Sequence, residues 1–276
     1  MKALFNGKFI ENDEHIISAD NRGLRFGDGV FETMRSVDGK PILLERHLER
    51  LLKGIELLKI KLPLRDLRED LERQIISVLS KNKVQFGRIR VTVFRGNGGL
   101  SENWDEPANT LIQCWDLKQK PTFNSNGLDL KLYDASRKAT DAFSNIKHNN
   151  FLPYVMGMIE AKEQKANDAI ILNTNGRICE TCLANIWIYK DGKFTTPPLS
   201  EGPIAGVMRG FLIEYLRDKV EEKQLTIVDL KTADEVFLTN SVRVMNWVKQ
   251  FEDKTYTNVC SINLFAELQR LFPAYF

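Results

Sequence analysis

Lys147 lies in Ser144-Asn-Ile-Lys-His-Asn-Asn-Phe151, just ahead of a stretch with helical spacing. A lysine amine does covalent chemistry on a carbonyl when burial or neighbouring cations loosen its proton. Beside an apolar segment it is otherwise a snorkelling surface residue. Downstream, Glu180 sits in Cys179-Glu-Thr-Cys-Leu-Ala-Asn185, a segment rich in strand formers, where the plain expectation is a solvent-facing carboxylate. Thr195-Thr-Pro-Pro-Leu199 follows, and then Gly206-Val207-Met208 opens a predicted helix. The free N–H groups and positive dipole end of such a start suit a phosphate dianion. Arg50, in His47-Leu-Glu-Arg50, reads by itself as a solvated helix arginine, and Ser241, in Phe237-Leu-Thr-Asn-Ser241, as a turn serine.

Other chemistries find less support. Cys179 and Cys182 form a C-x-x-C. A redox pair of that kind usually opens a helix, whose N-terminus lowers the thiol pKa, whereas Arg177 to Tyr189 reads as strand. A zinc site would want two more ligands, and His15, His47 and His148 offer no second pair, so no metal is expected. The chain has no G-x-x-x-x-G-K-[ST], no G-x-G-x-x-G after a first strand and no G-x-S-x-G elbow. Arg95-Gly-Asn-Gly-Gly99 resembles a phosphate loop, but no suitable helix follows it.

These groups must be held by a chain of 276 residues, long enough for one large or two smaller domains. It is 43% hydrophobic and 28% charged, and a net charge of +2 argues neither for nucleic acid nor for an anionic membrane. No apolar run approaches the roughly 20 residues that span a bilayer. The N-terminal residues lack a signal-peptide core, so a cytoplasmic location is the expectation.

Leu4 to Ile10 reads as a hairpin on Asn6-Gly7, and Val30 to Val37 as a strand turned by Asp38-Gly39 into Pro41 to Leu44. Leu44, Leu48, Leu51, Ile55 and Leu58 are spaced as one helix, and a second runs from about Leu64 to Leu79. Arg88 to Phe94 and Thr110 to Trp115 are strands. A polar stretch with Pro and Gly near 116–127 marks a boundary between domains at 1–117 and 127–276. Beyond it, Leu128 to Tyr133 is a strand, and Asn149 to Lys165 a helix with Pro153 in its first turn. Ala169 to Leu172 and Ile178 to Tyr189 form a hairpin on Asn175-Gly176, and Gly206 to Leu216 is a helix. Val236 to Thr239 and Val242 to Val248 are strands, and Leu264 to Leu271 closes the chain as a helix. Strands and helices mixed in both halves argue for two α/β or α+β domains.

The string Asn21-Arg-Gly-Leu-Arg-Phe-Gly-Asp-Gly-Val-Phe-Glu-Thr-Met-Arg35 has the form R-G-x-x-x-G-D-G-x-F-E-T. With Lys147, the E-x-x-x-x-N of Glu180 and Asn185, and the Gly206 helix start, it resembles the class IV (fold-type IV) pyridoxal-phosphate enzymes. That family includes branched-chain and D-amino-acid aminotransferases and 4-amino-4-deoxychorismate lyase. The resemblance implies a two-domain α/β (α+β) fold with the cofactor between the domains. It implies that Lys147 binds pyridoxal phosphate as a Schiff base and then moves a proton between the substrate and the cofactor. Glu180 would lie beside the pyridine nitrogen and keep the ring protonated as an electron sink. Arg50 would pair with the phosphate, together with Val207, Met208 and Ser241. Phe31 and Arg35 share a strand face and would look toward the substrate, with Arg95 a further candidate there. The family is homodimeric, and a dimer is expected by analogy.

The string departs from each branch. Phe151 lacks the hydroxyl that branched-chain enzymes place shortly after the lysine. Phe31 stands where D-amino-acid enzymes usually carry Tyr, and no R-x-H occurs near Arg95. The lyase string R-G-x-G-G-R-G-Y is kept only as far as Gly99. The expected activity is amino-group transfer between amino acids and 2-oxo acids. The alternative is a lyase that eliminates pyruvate to give 4-aminobenzoate, and a carrier without turnover is a third, opposed by Lys147 and Glu180.

Overall fold

The computed structural model describes residues 1–63, 66–101 and 107–275, and the chain divides into two units. One comprises Met1–Lys120 and Ile146–Asn150, the other Pro121–Asn145 and Phe151–Ala274. The chain thus crosses over within the polar stretch at 116–127. The segment around Lys147, however, returns to the first unit and does not stay with 127–276.

In the first unit, β1 (Lys2–Phe5) and β2 (Lys8–Glu11) form a hairpin. Its turn residues Asn6 and Gly7 have φ of 47° and 77°, a left-handed pair that Asn-Gly tolerates. The short α1 (Arg22–Phe26) has no apolar period to announce it. It is capped by the Asn21 side chain, which accepts from the Leu24 N–H, and stopped by Gly27 at φ 65°. Then come β3 (Gly29–Val37), β4 (Lys40–Pro41), α2 (Leu44–Leu57), α3 (Leu67–Asn82), β5 (Gly87–Phe94) and β6 (Asn109–Asp116). Leu64, where the second helix is expected to begin, lies outside the described residues, and Asp66 caps α3 by accepting from Glu69. The sheet runs β2-β1-β6-β5-β3-β4. Val30 and Met34 of β3, with Ile89, Val91, Val93 and Ile112, form a core with Leu48, Leu51 and Ile55 of α2 and Leu71, Ile75 and Leu79 of α3. Each such side chain contributes roughly 1.5–3 kcal/mol by burial. The opposite face of β3 carries Phe31, Thr33 and Arg35.

The second unit holds β7 (Leu128–Lys138), α4 (Leu152–Glu163), β8 (Asp168–Asn173), β9 (Ile178–Thr181), β10 (Asn185–Lys190), β11 (Lys193–Thr196), α5 (Val207–Leu216), β12 (Val220–Glu222), α6 (Ile227–Lys231), β13 (Glu235–Asn240), β14 (Val244–Phe251), β15 (Lys254–Thr255) and α7 (Val259–Leu271). Its sheet runs β12-β11-β10-β13-β14-β7-β8-β9, with β15 paired to β14. Several elements differ from their expected bounds: β7 runs on to Lys138, α7 begins at Val259 instead of Leu264, and two others are reshaped by contacts with distant segments. The helix expected from Asn149 starts at Leu152, because residues just before it are used as a strand partner: the Phe31 N–H donates to Lys147 O (2.8 Å) and the Asn149 N–H to Gly29 O (2.9 Å). Ile178 to Tyr189 is not one strand. Thr181 ends β9 by donating its hydroxyl to Asp168 (2.8 Å) while accepting from the Ala184 N–H (3.2 Å), and the chain turns at Cys182–Ala184 before β10. No helix among the described residues is long and apolar enough to cross a membrane.

Candidate active site

Alternation along β3 sends Glu32 to the helix side, where it is 1% exposed. The H-x-x-R spacing puts His47 and Arg50 on one face of α2, and both meet it. Glu32 Oε2 lies 2.6 Å from His47 Nδ1, and its two oxygens accept from Arg50 Nε and Nη2, each at 2.6 Å. Burial alone would raise the Glu32 pKa, but the charge of Arg50 and the His47 contact outweigh it and hold the carboxyl at about 2. Burial pushes His47 down, so a neutral imidazole donates Nδ1–H to Glu32. One edge of the Arg50 guanidinium is thereby fixed.

Lys147 is half-buried in the same unit, and its Nζ lies 4.7 Å from the centroid of the Phe31 ring. The R-G-x-x-x-G-D-G string is what lets its segment dock. A Cβ on Gly29 would meet Val93 O at 2.4 Å and Asn149 Nδ2 at 2.6 Å, and one on Gly27 would meet Asn150 Oδ1 at 2.4 Å. Asp28 between them accepts from Arg22 Nε and Arg95 Nε, both at 2.9 Å.

Arg95 also donates to Leu58 O (2.6 Å) and Lys59 O (3.1 Å). Its guanidinium thereby clamps the end of β5 to the end of α2. The lyase-like string after it accordingly has a scaffold reason to begin with arginine. Arg35, by contrast, shares its sheet face with Arg88 and Arg90, its neighbours across the β3–β5 ladder. Arg90 stacks on Phe31 at 3.8 Å and Arg88 on Trp115 at 4.3 Å. Arg35 is 6% exposed and donates to Gln119 O. Burial lowers the pKa of Arg35 and of Arg90, the latter further by Arg88, yet guanidinium stays charged.

In the second unit Glu180 is 3% exposed and ringed by donors. Lys138 Nζ and Tyr154 Oη (2.7 Å) donate to its Oε1, and Asn185 Nδ2 (3.3 Å) to its Oε2. The Ile204 N–H reaches both oxygens at 3.1 Å. In one straight strand, residues five apart would point to opposite faces; the turn at Cys182–Ala184 is what brings Asn185 back to Glu180. Asn185 also donates to Ile204 O (2.9 Å), and its Oδ1 would lie 1.8 Å from a Cβ on Gly206. Only glycine fits there. Gly206 then starts α5 with no side-chain cap, above buried Val207 and Met208. Ser241 lies half-buried in the turn between β13 and β14, where Asn240 Oδ1 accepts from the Val242 and Arg243 N–H groups.

The expected residues therefore fall into two sets: Phe31, Arg35, Arg50, Arg95 and Lys147 in the first unit, and Glu180, Val207, Met208 and Ser241 in the second. Sequence reasoning gave no role to Glu32 or His47, though both stand inside quoted strings, and missed Lys138, Tyr154, Arg88 and Arg90. Tyr154 carried a weak signal, a hydroxyl one turn beyond Phe151, on which its ring stacks at 4.3 Å. Cys179 and Cys182 are buried free thiols whose pKa burial pushes up, to about 12 for Cys182, the reverse of a reactive pair. Among the described residues no group of three or more His, Cys, Asp or Glu could hold a metal ion.

These residues fit pyridoxal phosphate. An uncapped helix start with buried flanking side chains provides amides for a phosphate, and a buried carboxylate provides a partner for a ring N–H. The two sheets have the fold of the fold-type IV aminotransferases. Residues 29–251 match the family model described as "Amino-transferase class IV", and the chain belongs to that family of pyridoxal-phosphate-dependent aminotransferases and related lyases. It is 29% identical over 262 residues to a protein of Methanocaldococcus jannaschii provisionally named a branched-chain-amino-acid aminotransferase, covering 94% of this chain and 90% of that one. It is 26% identical over 259 residues to the aminodeoxychorismate lyase of Bacillus subtilis, covering 91% and 87%. Among solved structures, the branched-chain aminotransferase of the thermophilic archaeon Thermoproteus uzoniensis, with norvaline, superposes with a TM-score of 0.89 at 22% identity, covering 99% of this chain and 95% of that one.

Proposed function

We propose that this enzyme is an aminotransferase that exchanges amino groups between amino acids and 2-oxo acids with pyridoxal 5′-phosphate. The observation that carries the reading is Glu180: a buried carboxylate oriented by Lys138, Tyr154, Asn185 and Ile204, whose Oε2 among the described residues takes the longer contacts of 3.3 and 3.1 Å. A carboxylate oxygen has room for a further donor, here a protonated pyridine nitrogen. When bound, the cofactor supplies an electron sink for charge developing at the substrate Cα. Lys147 is its covalent anchor and afterwards holds and moves the Cα proton. Arg50, fixed by Glu32, supplies charge for the phosphate, and the Val207 and Met208 amides and the Ser241 hydroxyl supply donors.

Arg35, Arg88 and Arg90 form one cationic sheet face beside Phe31, and that face suits the carboxylates of the substrate. Both a dicarboxylic oxo acid and aminodeoxychorismate carry two. The lyase is therefore the second reading, and the Bacillus subtilis relative favours keeping it.

Two assays separate the readings. Amino exchange between a panel of amino acids and 2-oxoglutarate supports the transferase, while pyruvate and 4-aminobenzoate released from aminodeoxychorismate, without exchange, would replace it with the lyase. Borohydride reduction of the cofactor-loaded protein and peptide mapping should place the label on Lys147. A label elsewhere, or full turnover by Lys147→Ala, overturns both.

The enzyme is further proposed to act as a homodimer. Leu152, Val155, Met156 and Ile159 make an apolar stripe at helical spacing on α4, and are 69%, 50%, 42% and 45% exposed. A stripe of that kind marks an interface, and a second copy would cover it isologously. Light scattering should give twice the chain mass, and Met156→Glu with Ile159→Lys should halve it.

A further inference from the structure

Glu180 does not stand alone as a charge. β7 continues past its expected end at Tyr133 to Lys138, which is 9% exposed and donates its Nζ to Glu180 Oε1. The ammonium also lies 5.4 Å from the Tyr154 ring centroid. Its backbone is pinned: the Thr174 N–H donates to Lys138 O at 3.0 Å, and Lys138 pairs with Asn173 in the ladder. Gly202 packs so closely on the next residue that a Cβ there would meet Ala139 O at 2.7 Å. A lysine confined like this holds its charge in a fixed place.

We propose that Lys138 is a positioning residue that sets how strongly Glu180 holds a proton on the ring nitrogen of the bound cofactor. The idea rests on the pyridoxal-phosphate reading above. Two effects follow from the geometry. Lys138 and Tyr154 both take Oε1, which leaves Oε2 with the longer contacts to Asn185 (3.3 Å) and the Ile204 N–H (3.1 Å). The ammonium also offsets the carboxylate's negative potential, so a ring nitrogen meets an ion pair in place of a bare carboxylate. The protonated ring is thereby held less tightly than a lone glutamate would hold it. This chain's electron sink is moderated by a cation 42 residues away in sequence.

The test is the ring-nitrogen signal of protein loaded with 15N-labelled pyridoxal phosphate, followed by NMR from pH 6 to 10. In Lys138→Met the pH at which the ring loses its proton should rise by roughly 1–3 units, the usual effect of one charge within about 4–6 Å. Lys138→Arg, which keeps the charge, should titrate like the parent. Lys138→Gln replaces Met if the latter does not fold, and must give the same upward shift. An unchanged or lowered midpoint in a neutral variant that folds and binds cofactor would overturn the role of Lys138. Parent protein that binds no labelled cofactor, or binds it away from Lys147, would instead overturn the reading on which it rests.

Discussion

Glu32→Gln should destabilise the first unit at neutral pH and remove much of its acid sensitivity. Glu32 is held at about 2, against the usual 4.5 for a glutamate, because Arg50 and His47 surround it in a buried site. A carboxyl depressed in the folded state adds stability that is complete above its unfolded pKa and is lost as pH falls through its folded one. Here that window runs from about pH 5 down to about pH 2, and at 1.36 kcal/mol per unit it is worth about 3 kcal/mol. Gln keeps the shape but leaves the Arg50 side chain, 11% exposed, without its counter-charge. Removing one member of a buried pair costs roughly 3–5 kcal/mol. The assay is urea unfolding from pH 7 to pH 2.5, read by pulsed hydrogen exchange on peptides from β3 and β5. The variant should unfold at lower urea at pH 7, and the two proteins should converge by pH 2.5. Parallel curves across the whole range would refute the argument, since the Glu32 charge would then have no pairing energy to lose. Cofactor affinity should fall as well, because Arg50 loses the partner that fixes its guanidinium.

Gly206→Ala should weaken cofactor binding at least tenfold, since a methyl 1.8 Å from Asn185 Oδ1 must push that side chain off Glu180 and Ile204; absorbance titration would measure it, and adding Asn185→Ala should restore part of the loss. Asp168→Asn should flatten the stability profile between about pH 4 and pH 6. Burial holds the Asp168 carboxyl up at about 6 against the usual 3.8, so stability is full below the unfolded value and falls as pH rises through the folded one. A parent protein that gains stability across that interval would contradict this. Arg90→Gln should raise KM for dicarboxylic substrates about tenfold or more with less effect on monocarboxylic ones, a split that steady-state kinetics on paired substrates would show.

What the sequence by itself determined is local. The Asn6-Gly7 hairpin, the apolar period of α2 and the helix start at Gly206 each follow from a few neighbouring residues, because turn chemistry and helical spacing are short-range constraints; what the glycines at 27, 29 and 206 make room for lies in distant segments. The same holds for the lysine and glutamate that mark the family, which are legible as strings. Only the tertiary structure decided who meets whom. Glu32 reaches Arg50 and His47 because a strand and a helix pack face to face, and no spacing within either element encodes that meeting. Arg95 meets Asp28, Leu58 and Lys59, residues 36 to 67 positions away in sequence. Lys147 was expected with the residues after the boundary, but backbone bonds to Gly29 and Phe31 claim its segment for the first unit. Ile178 to Tyr189 contains neither Gly nor Pro, so it reads as one strand; the break at Thr181 comes from a hydrogen bond to Asp168, thirteen residues back. Lys138 became chemistry only when β7 ran far enough to lay its ammonium on Glu180. Such pairings are fixed by register and packing between distant segments, where the energy of burying each charge depends on a partner the local sequence does not name.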